Sequence, residues 1–130
     1  AVEELPRAIT HGEYTLERAV AQPPRIVAIE GWEHAVLADP RFDIGFASAM
    51  LGAYGLVLSD QFQEAYQAAA GPVPDLVFWE VFSALRLLAR VGRSLSTLRA
   101  EQRERFLARA FPYWQGLLAL VQARTRVGLL

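Results

Sequence analysis

Side chains able to do acid–base or metal chemistry crowd into the first 43 positions: His11, Glu13, Glu30, Glu33, His34, Asp39 and Asp43. A metal site could be drawn from His11, Glu13, Glu33 and His34. However, Glu33 and His34 are adjacent and point to opposite sides of a strand, and no HExxH spacing occurs. Glu13 and Glu30 offer a paired-carboxylate acid/base mechanism, a geometry many chains share. A Ser-His-Asp triad has five Ser and two His to draw on, without a GxSxG elbow. Gly52 and Gly55 lack the spacing of a phosphate loop. Further along, Glu80, Ser83 and Arg86 share one helical stripe and could line a small-molecule pocket, although a satisfied polar stripe within a bundle is the commoner arrangement.

The composition removes other chemistries outright. The 130 residues contain no Cys, Lys or Asn, and all 13 basic residues are Arg. Disulfides, thiolate metal sites, Cys nucleophiles, Schiff-base lysines and a phosphate-gripping Lys are therefore excluded.

Two textures position these residues. Before residue 40 lie short β-favouring pieces, 7–10, 18–20 and 25–29, and the last two flank the turn Gln22-Pro23-Pro24, so they are expected to pair as a hairpin. After it, Asp39-Pro40 opens a helix through Phe42, Phe46 and Met50, Ser59-Asp60 caps a second that ends at Gly71-Pro72, and a third runs from Pro74-Asp75 to about Val91, closed by Gly92. The third is apolar around most of its circumference, with Glu80, Ser83, Arg86 and Arg90 as a narrow polar stripe, and it is expected at the bundle centre. From about Ser96 to Arg126 the pattern gives one or two helices, capped by Ser96 or Thr97 and kinked or divided at Pro112. The expected fold is mainly α (α+β): one domain, with a loop and β-hairpin segment over 1–38 and a helical bundle over 39–130. Apolar residues at 53% and charged residues at 21% suit a single domain of this length with a filled core.

A net charge of −1 gives no global attraction to nucleic acid or anionic membrane, so neither is an expected partner. Residues 1–79 carry 4 Arg against 11 acidic groups, and residues 80–130 carry 9 Arg against 3. The longest apolar run, 74–91, is interrupted by Glu80, Arg86 and Arg90, which argues for a buried helix over a membrane span. The chain opens AVEELPRAITHGE, without the order of a signal peptide, and a cytoplasmic location is expected.

The order of the pieces resembles a known family. Ala8-Ile9-Thr10-His11-Gly12-Glu13-Tyr14, a hairpin, then Ile29-Glu30-Gly31-Trp32-Glu33 and Ala38-Asp39-Pro40-Arg41-Phe42-Asp43-Ile44 resemble the catalytic segment of the aminoglycoside phosphotransferase and choline kinase family. Its members carry His-Gly-Asp with an Asn five residues on, a hairpin, Ile-Asp-Trp-Glu and Gly-Asp-Pro-x-x-Asp-Leu. Phe78-Trp79-Glu80 through Leu85-Arg86 resembles the family's Tyr-Trp-Glu...Leu-Arg helix.

The resemblance implies the large, mostly helical lobe of a kinase-like fold, phosphoryl transfer from ATP to a small-molecule hydroxyl, and ATP and Mg²⁺ as cofactors. It places Glu13 at the catalytic Asp with His11 beside it, Arg18 at the Mg²⁺-binding Asn, and Gly31 at the second metal-binding Asp with Glu30 as its neighbour. Glu33, Glu80, Ser83 and Arg86 would fall near the substrate pocket. By that resemblance residues 1–7 are expected to leave no room for the small ATP-covering lobe, and a chain without Lys cannot supply its phosphate anchor. A degenerate or incomplete phosphotransferase, inactive alone, is one expectation. The other is a non-catalytic binding or assembly module, homodimeric or with a partner chain on the lobe surface left exposed. Among the matched residues, His11 is expected to brace its loop, Asp39 to cap a helix, Asp43 to accept backbone N–H bonds from the His11–Glu13 loop, and Trp32, Trp79 and Trp114 to serve as core or interface aromatics.

Overall fold

The computed structural model describes residues 4–127. Four strands precede four helices: β1 (Ala8–Thr10), β2 (Ala19–Gln22), β3 (Arg25–Ile29), β4 (Val36–Ala38), α1 (Arg41–Gly52), α2 (Leu56–Ala70), α3 (Leu76–Thr97) and α4 (Ala100–Thr125). The fold is mainly α with a small β region, as expected. β2 and β3 form the predicted antiparallel hairpin, with a bulge between Val20 and Ala21. β4, which the sequence pattern does not announce, pairs antiparallel with β1 and brings Ile9 opposite Leu37. The strand that enters the His11–Glu13 loop is thereby tied to the segment that leads into α1.

The central helix is α1, a correction to the expectation for α3. Ile44 through Ala49 are buried in succession. Its small side chains let neighbours approach: a Cβ on Gly45 would lie 2.6 Å from the Trp79 carbonyl of α3. Phe46 and Ala49 of α1 and Ala53 just after it pack with Ala84 and Leu87 of α3 and Leu117, Leu120 and Val121 of α4.

Glu80 of α3 is a satisfied polar residue inside the bundle, as expected of the stripe, but the apolar circumference expected for this helix is not covered. Glu80 and Ser83 face inward and are fully buried, whereas Val77, Phe78, Phe82 and Leu85 are exposed. Polar groups enter a core when partners await them, and Glu80 meets Ser48 of α1, Ser59 and Gln63 of α2 and Arg124 of α4. Ser59 is consequently an interior residue of α2, which begins three residues earlier than the expected cap.

Helix ends differ in two further places. α3 passes through Gly92 without closing, because that glycine keeps an ordinary helical φ and an interior Gly costs only about 1 kcal/mol. The Ser96 and Thr97 hydroxyls donate back to the Arg93 and Ser94 carbonyls, and α4 is opened instead by Arg99, whose N–H donates to the Gln102 side chain at 3.1 Å. Pro112 sits inside α4 without dividing it. Its ring is on the exposed side, where the Ala108 carbonyl it leaves unbonded can be hydrated.

Candidate functional site

The loop after β1 is held from four directions. His11 is buried, and its Nε2–H donates to the Glu30 carbonyl at 2.6 Å while its Nδ1 accepts the Glu13 N–H at 3.2 Å. Both ring nitrogens are thus committed to backbone, so His11 braces the loop and has no free nitrogen for proton transfer. The edge of Trp32 packs on the imidazole, with centroids 4.8 Å apart, and Trp32 itself is half exposed. The His11 and Gly12 N–H groups donate to the two carboxylate oxygens of Asp43 at 2.5 and 2.9 Å. Gly12 has φ +85°, and a Cβ there would sit 2.5 Å from the His34 carbonyl oxygen, so only glycine suits the position.

Asp43→Asn turns an amide N–H₂ toward one of those two donors and leaves it unsatisfied. A loss of about 1–3 kcal/mol in urea unfolding is expected, together with loss of hydrogen-exchange protection at the His11 and Gly12 amides.

Beyond this clamp, the Glu13 carboxylate accepts from Arg18 Nη2 at 2.7 Å and from Arg90 Nη1 at 3.2 Å. The Arg18 hydrogen bond, assisted by Arg90, holds the Glu13 carboxyl below the usual carboxylate range. Arg18 also stands 3.8 Å from Glu33. Its guanidinium stem lies over Gly31: a Cβ at Gly31 would be 2.9 Å from Arg18 Cδ and Nε. Glu13, Arg18, Gly31 and Glu33 therefore meet. Glu30 joins through its backbone, accepting from His11 at its carbonyl and donating its N–H to the Arg18 carbonyl at 2.8 Å, while its side chain is exposed.

The expected grouping of Glu33, Glu80, Ser83 and Arg86 does not form. Glu80 is enclosed by α1, α2 and α4, Ser83 is buried with its hydroxyl unbonded, Glu33 sits at the surface beside Arg18, and Arg86 alone opens onto a cleft. The helical stripe is real, but neighbouring helices cover its first two members.

That cleft has a volume of about 710 Å³ and is walled by Glu13, His34, Phe42, Arg86, Arg90 and Arg93. A second, of about 640 Å³, shares Glu13 and Arg90 and adds Arg18 and Arg109. Arg93 and Arg109 were not singled out by motif. The available signal was the spacing 86, 90, 93, which places three arginines on one face of a helix.

A divalent cation does not fit the positions expected to hold one. Position 18 presents a guanidinium, position 31 has no side chain, and the space over Gly31 is filled by Arg18. Among the described residues, no group of three or more His, Asp or Glu is arranged to hold a metal ion, and no helix is long and apolar enough to cross a membrane. No family model, curated protein or solved structure matches the chain.

Proposed function

We propose that this chain is a kinase-like large lobe without phosphoryl-transfer chemistry, acting as a non-catalytic binding module in which an internal guanidinium takes the place of the metal. The single observation that carries this reading is Arg18, bonded to Glu13 and packed over Gly31 where the resemblance calls for metal ligands. The kinase-like part is supported by the chain order: a strand, the His11-Gly12-Glu13 loop, a hairpin, a return strand, and a helix whose Asp43 clamps the loop. The non-catalytic part follows from chemistry. Phosphoryl transfer relies on positioning and charge stabilisation by metal-bridged phosphates, and here the carboxylate aligned with the catalytic Asp is already neutralised by two arginines.

Calorimetric titration with ATP, with and without Mg²⁺, tests the reading. The expected result is no heat that depends on Mg²⁺ at millimolar nucleotide and no ATP turnover. Mg²⁺-dependent ATP binding that Glu13→Ala abolishes would overturn it.

An assembly role is a second reading, favoured by exposed apolar side chains on two faces: Ile9 (75% exposed) and Leu37 (61%), opposite each other on β1 and β4, and Phe78 and Phe82 on α3. Gel filtration with light scattering is expected to show a dimer at high concentration, and a strict monomer would remove this reading.

A further inference from the structure

We infer that the arginine cleft between α3 and the His11–Glu13 loop binds a small phosphomonoester, with Glu13 as the internal anion that the ligand's phosphate displaces from Arg90. The inference rests on the non-catalytic reading above and names the ligand class for that same site.

Arg86, Arg90 and Arg93 project from one face of α3 into the cleft. Like charges spaced i, i+4 on a helix repel each other, so such a row needs compensation. Among the described residues, Glu13 is the one carboxylate paired with any of the three, through Arg90 at 3.2 Å, and it is shared with Arg18 at 2.7 Å. Three guanidinium groups against one carboxylate leave a formal charge of +2 in the cleft, which matches the charge of up to −2 on a phosphomonoester.

The geometry is suited to that class. Arg86 packs over the Phe42 ring at 4.8 Å and lies 5.8 Å from the Phe82 ring, which holds the guanidinium at the cleft, and planar guanidinium forks bind phosphate oxygens in pairs. Arg90 is 64% exposed at its side chain, and its bond to Glu13 is the longer of the two that Glu13 accepts. Glu13 can therefore release Arg90 while keeping Arg18. Phe42 and Phe46 supply an apolar wall for the body of the ligand, and a volume of about 710 Å³ accommodates a small molecule.

The test uses phenyl phosphate and inorganic phosphate as probes, titrated calorimetrically into the whole chain at low ionic strength without Mg²⁺, with circular dichroism confirming that each variant folds. Phenyl phosphate is expected to bind saturably and more tightly than inorganic phosphate. Glu13→Gln should tighten it about tenfold, since the competing anion is gone, whereas Arg90→Gln should weaken it about tenfold. Arg93→Glu, at an exposed position, should weaken it at least as much and serves if Arg90→Gln does not fold. The inference is overturned if neither the wild-type chain nor Glu13→Gln binds phenyl phosphate, if Glu13→Gln weakens binding, or if sulfate and chloride compete as well as phosphate does. Absence of binding would leave the non-catalytic reading standing. In a parallel titration with Mg²⁺ added, phenyl phosphate binding that appears only with the metal and is lost in Glu13→Gln would overturn both.

Discussion

Glu80→Ala is expected to destabilise the protein by about 3–5 kcal/mol, the cost of removing one partner from a buried ion pair. Glu80 is fully buried, and its carboxylate accepts from Ser48 Oγ at 2.7 Å, from Ser59 Oγ, from Gln63 Nε2 at 3.0 Å and from Arg124 Nε at 2.7 Å. These donors come from α1, α2 and α4, so one side chain of α3 joins all four helices. Among the described residues, truncation leaves the Arg124 guanidinium with the exposed Asp60 carboxylate as its one ionic partner, and of the two buried hydroxyls, Ser48 and Ser59, which can bond each other, it leaves one short of an acceptor. The hydrogen bond that Arg124 donates to Glu80, opposed by burial and assisted by Asp60, raises the Arg124 pKa in the wild-type chain. A guanidinium also keeps its charge when that acceptor is removed, so the cation cannot relieve its position by losing its proton. Urea unfolding followed by circular dichroism measures the loss. Glu80→Gln, which keeps the shape and an acceptor, should lose clearly less, and a Glu80→Ala protein within 1 kcal/mol of wild type would contradict this account of the bundle. Replacing Glu80 and Arg124 together by Leu should recover most of the loss, because neither charge is then left alone.

Arg41→Ala is expected to cost about 3 kcal/mol, with a change in the acid limb of the stability profile. Arg41 is buried at the start of α1, pairs with both carboxylate oxygens of Asp39 at 3.0 and 2.7 Å, reaches Asp75 at 3.2 Å and lies over the Trp79 ring at 5.4 Å. Asp39 also caps the helix, accepting the Arg41 N–H at 2.9 Å. The Arg41 side-chain bonds, opposed by burial and assisted by the backbone bond, hold the Asp39 carboxyl below its ordinary value. A carboxylate whose folded pKa is depressed contributes stability above the unfolded value near 3.9 and loses it as pH falls through the folded value. Urea titrations from pH 6 down to pH 2 should therefore show stability falling below about pH 4 in the wild type. In Arg41→Ala the starting stability should be lower and the fall shallower. Parallel acid limbs in the two proteins would show that the Asp39–Arg41 pair is not the source.

What the sequence made legible, and what it hid, divides by the range of the interactions. The β2–β3 hairpin was visible because its signals are local: two β-favouring runs around Pro23-Pro24. The start of α1 was visible for the same reason, through Asp39 and Pro40. β4 was not, because three residues show no period and their partner strand is 26 positions away at the Thr10–Val36 pair. A satisfied polar stripe on α3 was legible at Glu80, but its partners and the exposure of Phe78, Phe82 and Leu85 were not, because the sequence shows that Glu80 is polar but not that Ser48, Ser59 and Arg124 await it.

At the site, Asp43 serves the His11–Gly12 amides as expected, and His11 braces the loop as expected. The unusual residues at positions 18 and 31 were readable as departures, but that they are complementary, with the guanidinium filling the space left by the missing side chain, was visible only in three dimensions. The arginine cleft was hidden likewise, since which face of α3 turns toward the loop is decided by core packing.

The central claim is that Arg18 stands where a divalent metal would, and Mn²⁺-induced broadening of amide resonances tests it most directly. With ATP and millimolar Mn²⁺, the wild-type chain is predicted to show no broadening centred on Glu13, Glu30 and Gly31. The double variant Arg18→Asn with Gly31→Asp removes the guanidinium and places a carboxylate at a left-handed position that Asp tolerates, so it is predicted to gain broadening centred on residue 31. Site-centred broadening in the wild-type chain would contradict the claim.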